Sequence, residues 1–127
     1  MNKDTGSGKP RHEKLGVKPG QGVAVVGRVD VGSDLDTLGA KAASVEKADW
    51  ILLAIDVAND LRALAIVRKR MHDDRVLWCV YVKGRKELSE KHVREHALAG
   101  DLDDVKVMSW SETHTGLKLV VRKERRK

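Results

Sequence analysis

The sequence contains no phenylalanine, one tyrosine and three tryptophans, so aromatic residues make up only 3% of its 127 positions. A surface that stacks single-stranded bases interleaves aromatic with basic side chains, and that pattern does not occur along this chain. Its lone cysteine, Cys79, cannot form an intramolecular disulfide. Because Cys79 sits inside an apolar run, it is expected as a buried, inert thiol, consistent with a reducing compartment. Apolar runs approaching the roughly 18 residues that span a bilayer are also missing. The polar start MNKDTGSGKPRHEK lacks the apolar core of a secretion signal, so the expectation is a cytoplasmic protein without membrane contact. What the chain does have is 41% hydrophobic residues, with core volume supplied by Leu, Val, Ile and the tryptophans, in a length that suits one domain.

The net charge of +6 raises the question of nucleic acid, and its position bears on the answer. Residues 1–14 carry four Lys or Arg against two acids, and residues 118–127 carry six against one. The span between them is close to neutral. This pattern is a basic tail rather than a basic face, and such tails are usually solvating.

Along the chain, residues 1–13 read as a flexible polar tail, residues 14–123 as one folded domain and residues 124–127 as a basic tail. Lys18-Pro19-Gly20 is turn chemistry, and the β-rich run from Gly22 to Val29 follows it. Ser33 or Asp34 can cap a helix through Ser44, with Leu35, Leu38 and Ala42 at helical spacing. The continuous apolar runs Trp50–Ile55 and Val76–Val82 suit strands buried on both faces of a parallel sheet. A helix over 60–72 with Asn59 as its cap joins them, and a second helix runs from Glu87 or Ser89 to Ala99, ending at Gly100. Val105–Trp110 and Leu117–Arg122 are joined by the short polar segment 111–116 and must therefore be antiparallel. The predicted fold is α/β, Rossmann-like, with a mostly parallel sheet of about five strands: three parallel strands with helical crossovers, closed by a C-terminal antiparallel hairpin. The first strand is predicted to form an exposed sheet edge, covered by the segment from Val31 to Lys47 or paired with a second copy in a homodimer.

This order of parts resembles the methyltransferase-type Rossmann-like fold, and more closely a bacterial family of small, shortened versions of it. The likeness covers roughly residues 13–123. It is carried by Leu15-Gly16-Val17-Lys18-Pro19-Gly20, Ala48-Asp49-Trp50-Ile51-Leu52-Leu53, Leu77-Trp78, Val80-Tyr81-Val82-Lys83-Gly84 and Gly116-Leu117-Lys118-Leu119-Val120. In such enzymes a working S-adenosylmethionine site resembles an acid in the first strand, a glycine-rich turn after it, and a second acid on the next strand for the ribose. Here the segment reads Val26-Gly27-Arg28-Val29-Asp30-Val31-Gly32. Val26 stands near the first acid's place, the glycine spacing departs from G-x-G-x-x-G, and the chain is too short for the full second and third strands. Methyl transfer is not expected, and no cofactor is assigned.

Two motifs imitate known sites. Gly6-Ser7-Gly8-Lys9 echoes the end of a P-loop, but Pro10 stands where Ser or Thr is needed and no buried strand precedes it. His92-Val93-Arg94-Glu95-His96 matches H-x-x-E-H, yet a catalytic zinc needs a third ligand, for which only Glu112, His114 and Glu124 follow. Both are read as solvated residues.

The physical argument for a site is topological, because ligands of open parallel sheets gather outside the carboxyl ends of the strands. That edge places Arg28, Asp56, Lys83, Arg85, Lys86 and His114 together as candidate ligand-binding residues. The cations before a helix N-terminus favour an anion there. The expected function is a non-catalytic domain binding a small anionic ligand or a protein partner. The alternatives are a nucleic-acid-associated protein acting through Lys118–Lys127 and a degenerate methyltransferase-type enzyme.

Overall fold

The computed structural model describes residues 15–27 and 41–122. Six strands form one sheet: β1 (Gly22–Val26), β2 (Lys41–Ala42), β3 (Trp50–Ile55), β4 (Val76–Val82), β5 (Leu102–Ser109) and β6 (His114–Val121). Their spatial order is β2-β1-β3-β4-β6-β5. The first four run parallel, whereas β6 is antiparallel to both β4 and β5. A 3-10 turn over Ala58–Arg62 leads into helix α1 (Ala63–Arg70), and another over Lys86–Leu88 precedes α2 (Glu90–Ala99). The expected α/β sheet with its C-terminal hairpin is therefore present.

Alternation along the strands divides the apolar residues between two cores, since successive side chains point to opposite faces. Ile51, Leu53, Ile55, Leu77, Cys79, Leu117 and Leu119 pack with Leu64 and Val67 of α1 and Val93 and Ala97 of α2. On the other face Leu52, Trp78, Val80, Met108 and Trp110 pack with Leu15 and Val17. Trp78 donates from Nε1 to the Leu15 carbonyl at 3.1 Å, which satisfies a buried indole and fixes the N-terminal segment to the sheet. Gly116 permits this core to close, because a Cβ there would lie 3.0 Å from Trp110 Cε3 and 3.3 Å from Trp78 Cε3. The helical crossover between β3 and β4 was legible, as was the helix after β4, which Ser89 caps by accepting from the His92 amide.

Several details differ from expectation. Lys41 and Ala42 form β2 rather than the end of a helix, because the Lys41 and Ala43 amides pair with the Gln21 and Val23 carbonyls. The first strand is thus not left as the sheet edge but is covered, as one expectation had it, from the segment 31–47, although β2 reaches only as far as Val23 along it. The rest of that predicted helix, with Ser33, Asp34, Leu35 and Leu38, lies outside the described residues, as do Val29, Arg28 and the glycine-rich segment to Gly32. β1 ends at Val26, and Gly27 takes φ +85° with its Cα facing Ala54. Asn59 is not the cap of the following helical segment: the segment starts at Ala58 with Val57 in the cap position, and Asp60 reaches back, its Oδ2 accepting from the Asp56 and Val57 amides at 3.0 and 3.2 Å. Helix α2 ends as expected, at Ala99 with Gly100 as its cap, but the left-handed residue is Asp101, at φ +63°. Strands β5 and β6 begin earlier than predicted, at Leu102 and His114, and Lys118, counted with the basic tail in the nucleic-acid alternative, lies within interior strand β6. Among the described residues no helix is long and apolar enough to cross a membrane.

Candidate functional site at the carboxyl edge of the sheet

β3 and β4 run in register from Trp50 opposite Val76 to Ile55 opposite Tyr81, so they end side by side. Because β6 enters antiparallel with His114 opposite Val82, the hairpin turn returns to the same edge. Topology therefore brings Asp56, Lys83 and His114 together, as their places in the sequence predicted. Asp56 Oδ1 lies 2.9 Å from His114 Nε2. His114 Nδ1 lies 2.8 Å from Thr113 Oγ1, which is 3.3 Å from Ser111 Oγ. Counting donors assigns the tautomer: Nε2–H donates to the Asp56 carboxylate, leaving Nδ1 to accept from the Thr113 hydroxyl. Ser111 Oγ in turn accepts from the His114 amide at 3.1 Å.

Lys83 has a different role from its neighbours. Its Nζ donates to Ser109 Oγ at 2.9 Å and to the Ser111 carbonyl at 2.8 Å, and its amide donates to the Thr113 carbonyl. The ammonium thus holds the hairpin turn against the end of β4. Gly84, at φ +80°, turns the chain immediately after it, and Arg85 and Lys86 follow, both exposed. These two cations rim an open cavity of about 370 Å³ whose walls include Tyr81, Ser89, Glu90 and Thr115.

One acid, Glu90, lines the cavity. Tyr81 donates to Glu90 Oε1 at 3.5 Å, and Arg94 bridges Glu90 at 2.9 Å to Asp104 at 3.1 Å. Burial, followed by the charge of Glu90, pushes the Tyr81 phenol above its ordinary value, so it stays a neutral donor. Glu90 lies in the first turn of α2, where the helix dipole favours a carboxylate. The first turn of the helix thus already carries an acid of the chain's own, and Ser89 Oγ accepts from the His92 amide. The cavity offers cations at its mouth and a carboxylate, a phenol and hydroxyls inside. Tyr81, Ser89, Glu90 and Thr115 were missed by sequence reasoning. A signal did exist for Glu90, in its i,i+4 spacing to Arg94.

The end of the sheet where S-adenosylmethionine would lie is different in kind. Val25 and Val26 occupy the last positions of β1, and β2 stops opposite Val23, well short of the carboxyl edge, with Ala43 and Ser44 after it. The acids in and beside these strands are engaged: Glu46 with Arg70 at 2.7 Å, Asp49 with the Gly22 amide and Arg75, both at 2.9 Å, and Asp56, after β3, with His114 at 2.9 Å. Neither expected cofactor carboxylate is found among the described residues. Arg28 lies outside them. In the H-x-x-E-H helix, His92 Nδ1 faces Ser89 Oγ at 2.8 Å and His96 Nδ1 faces the His92 carbonyl at 3.0 Å. Among the described residues no group of three or more His, Cys, Asp or Glu side chains could hold a metal.

No family model matches the sequence, and no curated protein matches it either. Solved structures do resemble it. A TehB-like SAM-dependent methyltransferase from Corynebacterium glutamicum superimposes with a TM-score of 0.63 at 14% identity, over 88% of this chain and 86% of that one. The 1,6-didemethyltoxoflavin-N1-methyltransferase of Burkholderia thailandensis gives 0.60 at 12% identity, over 88% and 75%. The magnesium protoporphyrin IX methyltransferase of Synechocystis gives 0.54 at 10%, over 87% and 74%. At such identities the likeness is one of fold. The chain is a mixed α/β domain whose six-stranded sheet matches the methyltransferase-type Rossmann-like fold.

Proposed function

We propose that this chain is a degenerate methyltransferase-type domain that does not use S-adenosylmethionine and instead binds a small ligand at the carboxyl edge of its sheet. The ligand carries an anionic group, which Arg85 and Lys86 meet, and a hydroxyl or amino donor, which Glu90 accepts. The observation that carries this reading is the cavity beside β4, where two cations outside every described ion pair rim a wall built from Tyr81, Ser89, Glu90 and Thr115. Among the described residues Val25 and Val26 close β1 and no carboxylate closes β2, which supports the exclusion of the cofactor, because its amino acid and ribose groups need acceptors there.

The test is a thermal-shift screen of phosphate, nucleotides and S-adenosylmethionine, run on the wild type and on Arg85→Ala/Lys86→Ala. Lys83 is left intact because it secures the hairpin. An anion that stabilises the wild type and stabilises the double variant much less supports the site. Equal stabilisation of both proteins removes it, and saturable calorimetric binding of S-adenosylmethionine overturns the exclusion of the cofactor.

A further inference from the structure

On the opposite face of the sheet, Lys106 of β5 and Lys118 of β6 are direct cross-strand partners. Lys118 pairs on its other side with Trp78 and extends its Nζ over the Trp50 ring, 5.4 Å from the centroid, so both lysines lie on the face away from α1 and α2. The Trp50 ring is itself fixed, with Nε1 donating to Gln21 Oε1 at 2.8 Å. The acids that could neutralise the lysines are turned elsewhere: Asp104 pairs with Arg94 and Asp103 with Arg122. Among the described residues no ion pair involves Lys106 or Lys118. Like charges directly opposite on neighbouring strands destabilise the pair. Partial burial, and then Lys106, lower the pKa of Lys118, in keeping with that repulsion.

We propose that Lys106 and Lys118, beside the indole of Trp50, form a binding site for a phosphate group on this face. A shared anion turns the repulsive pair into two charge-assisted contacts, while the indole keeps the Lys118 ammonium in place beneath it. The phosphate can be that of a small molecule or of a nucleic-acid backbone. This site is independent of the cavity at the carboxyl edge, which lies at the end of β4 near α2.

The experiment uses the full chain and the Lys106→Glu variant, with inorganic pyrophosphate and a short oligothymidylate as probes. Lys106 is exposed, so the variant folds, and the new Glu faces Lys118. It is expected to melt above the wild type without added phosphate, to lose the stabilisation that pyrophosphate gives the wild type, and to bind about tenfold more weakly. Trp50 is half-buried while Trp78 and Trp110 are 0% and 3% exposed, so a change of tryptophan fluorescence on binding reports this site. Saturable oligothymidylate binding that weakens steeply with salt, and less steeply in Lys106→Glu, identifies the backbone as the source. A response to pyrophosphate alone identifies a small molecule. The site is refuted if neither probe binds, if Lys106→Glu melts no higher than the wild type, or if both proteins respond alike. The Arg85→Ala/Lys86→Ala variant keeps the full tryptophan-fluorescence response, because that signal comes from Trp50 at this site, which separates this proposal from the edge cavity.

Discussion

Asp56 and His114 are 58 residues apart in the chain and 2.9 Å apart in space, joining the loop after β3 to the first residue of β6. This contact bypasses β4 and clasps two loops of the carboxyl edge directly. Asp56 is half exposed, so the pair is screened and its contribution modest. Asp56→Ala and His114→Ala are each expected to lower stability by about 1 kcal/mol or less, with a coupling of roughly 0.5 kcal/mol between them in a double-mutant cycle of urea melts. Strict additivity would show that the clasp contributes nothing.

Lys83, Arg85 and Lys86 are adjacent in sequence but separable in role. Removing the Lys83 ammonium leaves Ser109 Oγ and the Ser111 carbonyl without that donor, so Lys83→Met should cost about 1 kcal/mol. Arg85→Ala and Lys86→Ala, at exposed positions, should each stay within about 0.5 kcal/mol. Chemical denaturation of the three single variants decides this, and equal effects would contradict the role given to Lys83.

Gly116 lies between two indoles whose centroids are 6.3 Å apart. A branched side chain there meets both rings and forces one of them aside. Gly116→Val is expected to destabilise by about 1–3 kcal/mol and to alter the near-ultraviolet circular dichroism of the tryptophan pair. An unchanged spectrum with unchanged stability would mean that this core does not need the close approach.

Cys79 is fully buried, and burial alone raises its thiol above the ordinary range, which suppresses the nucleophilic thiolate. A thiol-specific disulfide reagent should therefore modify the native protein only as fast as it opens, and the denatured protein at once. Rapid labelling of the native state would return Cys79 to the list of reactive groups.

The strongest local patterns determined much of the architecture. Trp50–Ile55 and Val76–Val82 are apolar throughout because both faces of these strands are buried, and such runs are visible without any knowledge of their partners. The Ser89 cap is equally local. The short link between β5 and β6 dictated antiparallel pairing, and with it the return of His114 to the edge occupied by Asp56. Other features depend on contacts between distant segments. Lys41–Ala42 has no strand pattern of its own and becomes β2 because the open side of β1 offers carbonyls to its amides. Lys83 looked like one of three equivalent cations until the hairpin carbonyl and hydroxyl that take up its charge were in place. The facing of Lys106 and Lys118 depends on the register of β5 against β6, which shifts between Asp104 and Lys106. Since a one-residue slip moves a side chain to the other face of the sheet, only the tertiary structure decided that these two charges meet.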